Sequence, residues 1–293
     1  MTTIYDKIGQ LERHILSSIA PVFLTKRIYL SNFDQEPDLK NPKTINEKLQ
    51  YLKLNTYYND PVVTQCADKY GIRSYLKNKG MEYLCPELYG VYDSVKEIDW
   101  DALPDSFVLK CNHGCGYNII VPDKAMFDPA DASRKLSRWM KEDYWKEYCE
   151  TQYKFIKKKI IAEEYLGDEL NTYKFYCFNG EPKVLYVSAT GDHGEHDLYI
   201  DYYDMEWNHL DTQLADHIHR PPERTLQKPD TFDEMKKLAR ILSSDFPFVR
   251  VDLYDVRGRV MISELTFIPT GGYMHLEPEG TDLEWGEWLK LDL

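Results

Sequence analysis

The sequence predicts an α+β protein of antiparallel sheets with a cleft between two lobes, and three observations carry that prediction. Residues 173–178 and 183–188 are apolar-rich runs joined by Asn179-Gly180, a dipeptide suited to a tight hairpin. Residues 250–266 form a second predicted hairpin closed by Val256-Arg257-Gly258. Between Asp68 and Glu164, helical periodicity alternates with short strand-like segments.

Taken in order, Ile4, Ile8, Leu11, Ile15 and Ile19 recur at helical spacing and predict an opening amphipathic helix packed on the protein body. Its polar face mixes acids and bases, which argues against a membrane-surface anchor, although peripheral association stays open. Residues 31–46 are polar and punctuated by proline, and read as an exposed connection. Thr44-Ile-Asn-Glu47 is a capping box opening a helix to about Leu54. A helix is expected from Asp68 to about Lys79, and strands at 87–92, 107–110 and 118–121. Residues 129–156 are the longest helical candidate, followed by a strand over 159–164. Beyond the 173–188 hairpin come a strand at 199–203, a helix capped by Asp230 or Thr231 and running to about Leu242, and the last hairpin.

Length and composition bound the function. The 293 residues, 43% hydrophobic and 29% charged, describe an ordinary globule with room for a large core. A net charge of −13 argues against duplex nucleic acid, which needs a basic footprint. No apolar run approaches a membrane span and the first residues lack a signal-peptide pattern, so the expected location is cytoplasmic. Cysteines 66, 85, 111, 115, 149 and 177 show no disulfide framework. Cys111-Asn-His113-Gly-Cys115 invites a zinc reading, but no second ligand pair stands at a matching distance.

The chemistry concentrates in three segments. In the last hairpin, a three-residue loop with Gly258 in the left-handed position sets 252 opposite 262 and 250 opposite 264. Even-numbered Arg250, Asp252, Glu264 and Thr266 then share one face, while Val251, Leu253, Met261, Leu265 and Phe267 point to a core. Asp252 and Glu264 become diagonal neighbours roughly 7–8 Å apart, a separation that hard cations can bridge, with Arg250 as a clamp for metal-bound phosphate. The same pattern also describes an antiparallel pair with a solvated polar face. In the second segment, Lys110 ends an apolar strand and Gly114 and Gly116 follow, a combination that offers an ammonium and approachable backbone N–H groups to an anion. Lys110 as a last exposed strand residue is the plainer alternative. In the third, residues 160–163 run into Glu164, Gly167, Asp168 and Glu169, offering a backbone edge to a purine and a carboxylate to a ribose, or simply solvated acids at a strand end.

These segments, in this order, resemble the ATP-grasp superfamily and within it the TupA-like ATP-grasp family of bacterial polysaccharide biosynthesis. The resemblance runs from about Asn41 to Pro278 and is carried by Ile45-Asn46-Glu47-Lys48, Ala67-Asp68-Lys69-Tyr70, Phe107-Val-Leu-Lys110-Cys-Asn-His113-Gly114, Glu163-Glu164-Tyr165-Leu166, Tyr173-Lys174-Phe175-Tyr-Cys-Phe178-Asn-Gly180, Val249-Arg250-Val-Asp252-Leu-Tyr254 and Glu264-Leu-Thr266-Phe267. It implies an ATP-grasp fold of two α+β lobes with ATP in the cleft between them. Residues 1–60 would then be an N-terminal helical region, 61–166 the first lobe and 167–293 the second. By resemblance, Lys69 and Lys110 contact ATP phosphates under a mobile loop holding Gly114 and Gly116. Glu163, Glu164 and Leu166 would bind adenine, and Glu169, or else Asp168, the ribose. Asp252 and Glu264 would be magnesium ligands, Arg250 the phosphate or acyl-phosphate clamp, and Lys174 a neighbour of the phosphates. Thr266 stands where such ligases commonly have asparagine, and Cys115 where serine is familiar, so a third metal contact through Thr266 departs from the pattern.

The activity implied is ATP- and magnesium-dependent joining of a carboxylate to an amine through an acyl phosphate. The expected substrates are a uronic acid of a cell-surface glycan and an amino acid or amino alcohol. His193 and His196 are candidates to line the acceptor site, or belong to a surface loop. A sugar or glycan kinase, and a nucleotide-binding assembly protein without turnover, are the alternatives.

Overall fold

A computed structural model describes residues 4–168, 170–190, 198–215, 217–220 and 225–293. The chain forms two compact units: one takes the residues up to His14 and Asn59–Asp168, the other Ile15–Tyr58 and the chain from residue 169 onward. In order come α1 (Ile4–Ile19), α2 (Pro21–Phe33), α3 (Ile45–Leu54), α4 (Pro61–Ala67), α5 (Ile72–Asn78), β1 (Leu88–Tyr92), β2 (Phe107–Cys111), β3 (Asn118–Val121), α6 (Pro129–Trp139) and β4 (Ile160–Glu163). They are followed by β5 (Thr172–Phe178), β6 (Glu181–Thr190), β7 (Leu198–Tyr203), β8 (Gln213–Leu214), α7 (Phe232–Ser243), β9 (Phe248–Val256), β10 (Arg259–Thr266), β11 (Leu276–Glu277) and α8 (Thr281–Trp288).

The first unit is built on an antiparallel sheet of order β1-β4-β2-β3. Phe107, Leu109 and Cys111 of β2 and Ile160 and Ala162 of β4 face one way and pack with Leu136 and Trp139 of α6 into the core. The alternate residues, Lys110 and Glu163 among them, therefore share the opposite face. Three expectations need correction here. The helix expected from Asp68 starts only at Ile72, as α5, because Asp68 turns extended, and an unexpected helix precedes it, α4, which Asp60 caps through the Val62 and Val63 amides. The long helix over 129–156 stops at Trp139, and short 3₁₀ turns at Tyr144–Lys146 and Thr151–Tyr153 follow. Cys149 sits there at φ 57°, a conformation that a helix cannot hold. Finally, the later part of the α1 apolar stripe is left uncovered: Leu11, Ile15 and Ile19 are 62%, 50% and 74% exposed.

The second unit carries an antiparallel sheet of order β10-β9-β5-β6-β7. Phe175, Val251 and Leu253 are fully buried on the side that α7 covers, where Phe232 stacks on Phe175. The α3 capping box forms as expected, but Asn46, Glu47 and Lys48 prove to be ties within the unit. Asn46 exchanges hydrogen bonds with the Met274 backbone at 2.8 and 2.9 Å, Glu47 accepts from the Asp38 and Lys43 amides, and Lys48 Nζ reaches the Gly286 and Leu289 carbonyls, both at 2.7 Å.

Both predicted hairpins of this unit form, and both conceal the same device. The turns have two residues, Asn179-Gly180 and Arg257-Gly258, all at positive φ as a hairpin twist demands. Each returning strand then carries one extra residue: the ladder shifts between Tyr176 and Cys177, leaving Lys183 unpaired, and between Ile262 and Glu264, leaving Ser263 unpaired. A regular ladder from the Arg257-Gly258 turn would set Ser263 opposite Asp252. The bulge sets Glu264 there instead, with Thr266 opposite Arg250. The expected convergence of Arg250, Asp252, Glu264 and Thr266 holds, but the register does not. Asp252 and Glu264 face each other directly, and Ile262 rather than Met261 lies on Leu253's side, with Met261 opposite Tyr254.

Candidate functional site

In the second unit, β9 is flanked by β10 and β5, so Asp252 has Glu264 on one side and Lys174 on the other. Asp252 is fully buried and Arg250 nearly so. The guanidinium of Arg250 donates from Nε and Nη2 to the two Asp252 oxygens, both at 2.7 Å, and from Nη2 to Thr266 Oγ1 at 3.1 Å. Its Nη2 lies 3.7 Å from Glu264, and Lys174 Nζ lies 3.5 Å from Asp252. Thr266 Oγ1 donates on to Glu264 Oε1 at 3.3 Å. Burial works against the charge on both cations. The Asp252 carboxylate overrides it, holding Arg250 well above its ordinary pKa and Lys174 above its own. The hairpin acids thus sit in a face carrying two positive and two negative charges, with the Glu264 side chain 28% exposed.

In the first unit, Lys110 Nζ lies 2.8 Å from Glu163, which Arg73 of α5 also binds at 2.6 Å. Burial of the Glu163 carboxyl pushes its pKa up, but Lys110 and Arg73 reverse that and hold it below the usual range. The Glu163 carboxylate is thus engaged by both cations, and its backbone is paired with Leu88 and Val108 within the sheet. Lys69 Nζ donates to the Gly114 carbonyl at 2.7 Å, joining two of the predicted phosphate contacts. At Gly114 a Cβ would meet the Tyr144 and Tyr117 rings at under 3 Å, and Gly116 takes φ 75° in open space, so each glycine has a steric reason. The Glu164 amide donates to the Glu87 carbonyl, while Leu166 is half-buried just beyond β4. Asp168 accepts from the Tyr165 hydroxyl. Glu169, His193 and His196 lie outside the described residues.

Three residues of these groups escaped the sequence reading. Asn112 is fully buried and holds the Lys110 strand to its neighbours: its amide donates to Asp68 at 2.8 Å and to the Lys157 carbonyl at 3.0 Å, and its side-chain oxygen accepts from Lys159 N at 2.7 Å. Arg73 had no local signal, because its partner is 90 residues away. Tyr186 stands opposite Lys174 only by virtue of the Lys183 bulge. Beside Lys110, Cys111 is buried, with its thiol pushed by burial up to about 12, and His113 is buried with its pKa lowered by burial to about 4. Cys115 is exposed.

The donor set Asp252, Glu264 and Thr266 is all hard oxygen, which suits magnesium. Each Asp252 oxygen keeps lone pairs beyond the one given to Arg250. Among the described residues no group of three or more His, Cys, Asp or Glu could hold a metal by itself. Magnesium bound by one or two carboxylates, with water and phosphate oxygens completing its shell, fits that set.

The sequence profile of the family described as TupA-like ATPgrasp matches residues 47–290. The chain belongs to this family. Its mixture of helices and antiparallel sheets is the ATP-grasp fold of that family. The TupA-like ATP-grasp chain is also similar to the solved structures of D-alanine–D-alanine ligase from Bacillus anthracis complexed with ATP (14% identity, TM-score 0.43, covering 70% of this chain and 55% of that one) and of L-amino acid ligase from Bacillus licheniformis (12% identity, TM-score 0.46, covering 87% and 54%). It spans little more than half the length of those structures. No curated protein matches its sequence. Among the described residues, no helix is long and apolar enough to cross a membrane.

Proposed function

We propose that this TupA-like ATP-grasp protein is an ATP- and magnesium-dependent carboxylate–amine ligase. It would join an amino acid or amino alcohol to a uronic acid of a cell-surface polysaccharide through an acyl phosphate. The observation that carries the proposal is the buried Asp252 set against Glu264 on one side and Lys174 on the other, with Arg250 across its oxygens. Such a face has carboxylates for a cation and cations for phosphate within a few ångströms, which is what stabilising a transferring phosphoryl group requires.

In this reading Asp252, Glu264 and Thr266 hold magnesium, whose bound charge would neutralise the triphosphate. Arg250 and Lys174 orient the γ-phosphoryl group and the acyl phosphate formed when the substrate carboxylate attacks it. Lys69 and Lys110 bind phosphate, with backbone N–H groups around Gly114 and Gly116 approaching the same anion. The segment from Glu163 through Glu164 to Leu166 takes adenine, and Glu169 the ribose hydroxyls. The amine then displaces phosphate to leave the amide. The protein positions and stabilises, and forms no bond of its own.

A matrix of uronic acids against amines, with purified protein, magnesium and ATP, tests the proposal by ADP release and product analysis. A ligase releases ADP and phosphate only when acid and amine are both present. Phosphate left on the acceptor identifies a kinase instead, and ATP binding without turnover under every pairing identifies a non-catalytic nucleotide-binding protein.

A further inference from the structure

The Asp252 face of the second unit contains one residue that the phosphate-transfer reading leaves unused. Tyr186 of β6 is 6% exposed and pairs across the ladder with Lys174. Lys174 Nζ stands 5.4 Å from the centre of its ring and the Arg250 guanidinium carbon 5.7 Å from the same centre. Both distances lie within the range in which a ring face attracts a cation. The rings of Tyr176 and Tyr202 flank it at 5.9 and 5.4 Å and hold it in place.

The physical problem at this face is what holds a buried and a partly buried cation once their carboxylate is shared. Arg250 and Lys174 both lean on Asp252, and burial penalises each. A divalent ion on Asp252 would compete for that carboxylate. A further acid at position 186 would hold the cations but also neutralise them and repel phosphate. An aromatic face holds them without either cost, because its attraction is that of a quadrupole and leaves the net charge on offer.

We propose that Tyr186 is a positioning residue whose ring keeps Arg250 and Lys174 on the phosphate-binding face while Asp252 engages a cation. This deepens the ligase reading and rests on it. The test replaces Tyr186 with phenylalanine and with phenylalanines carrying one, two and three ring fluorines, which drain the ring face of electron density while nearly preserving shape. Calorimetry measures binding of magnesium–ATP to each full-length variant, and thermal unfolding checks its fold. The phenylalanine variant is expected to bind within about twofold of the parent. Affinity should then fall step by step with fluorination, by roughly 2- to 30-fold overall for an attraction of about 0.5–2 kcal/mol. Flat affinity across a series that stays folded overturns the role of the ring and leaves the ligase reading standing. Failure of the unsubstituted protein to bind magnesium–ATP overturns both.

Discussion

The two units hold near-copies of one arrangement: a buried carboxylate gripped by one arginine and one lysine. In the first it is Glu163 with Arg73 and Lys110; in the second it is Asp252 with Arg250 and Lys174. The second adds a further, half-open acid, Glu264, and a hydroxyl, Thr266. The first adds another lysine, Lys69, and a glycine loop. One group is therefore left cationic and suited to an anion, while the other balances its charges and has acid to spare for a cation. The same ion-pair core serves two chemistries because of what stands beside it.

The largest expected effect breaks the second copy. Asp252→Asn leaves the buried Arg250 and the partly buried Lys174 without their carboxylate, and removing one partner of a buried pair costs about 3–5 kcal/mol. Glu163→Gln should cost less, about 2 kcal/mol, because Arg73 keeps the Pro86 carbonyl at 2.7 Å as a partner, the cations of the two copies being about equally exposed. Urea unfolding of both variants compares them. Equal losses would mean that the Pro86 carbonyl does not set the difference.

Acid should separate the two copies next. His113, in the loop after Lys110, is buried and held to about 4, whereas in an unfolded chain it titrates near 6.5. Its folded pKa is the lower one, so the unfolded state takes up the proton first. Stability is complete above about pH 6.5 and falls as pH drops towards 4, by about 3 kcal/mol in all. The depressed carboxyl of Glu163 adds a further loss below that window, as pH falls through its folded pKa. A His113→Phe variant should lose most of the slope between pH 6.5 and 4 in urea titrations. A slope unchanged in that variant would place the acid sensitivity elsewhere.

How far these groups were legible in the sequence follows from their geometry. Alternation along 250–254 put Arg250 and Asp252 on one face, and the glycine pair marked the loop after Lys110, since both are local properties of the chain. Turn length and register were misjudged together. A three-residue loop with a regular ladder, and a two-residue turn with a one-residue bulge, both bring Glu264 to the face of Asp252, so the right face emerged with the wrong partner. Arg73 and Asn112 were invisible because their roles come from residues far along the chain. The α1 stripe shows the converse, a periodic signal that does not name what it packs against.

Cysteine labelling sharpens the contrast from the first unit's side. Five cysteines are buried and Cys115, between Gly114 and Gly116, is exposed. A maleimide should modify one thiol rapidly in the native protein and the other five only on unfolding. If that loop binds phosphate as proposed, magnesium–ATP should slow the fast reaction. Rapid modification of two or more thiols would contradict the burial, and unchanged labelling under saturating nucleotide would remove the loop from the proposed contacts.

The smallest structural effect belongs to Glu264, and it is the most telling about what the second copy adds. It lies 3.7 Å from Arg250 and accepts a 3.3 Å hydrogen bond from Thr266, and its side chain is partly open to solvent. Arg250 keeps its two 2.7 Å bonds to Asp252 whether or not Glu264 is charged. Glu264→Gln should therefore shift stability by no more than about 0.5 kcal/mol, as for an exposed ion pair. Magnesium dependence is where it should show: a cation ligand reduced from anion to amide raises the magnesium concentration needed for ATP binding, while binding of ATP without metal changes little. Calorimetry across a magnesium series reads both at once. A large loss of stability would make Glu264 a structural partner of Arg250, and an unchanged magnesium requirement would leave Asp252 to hold the cation without it.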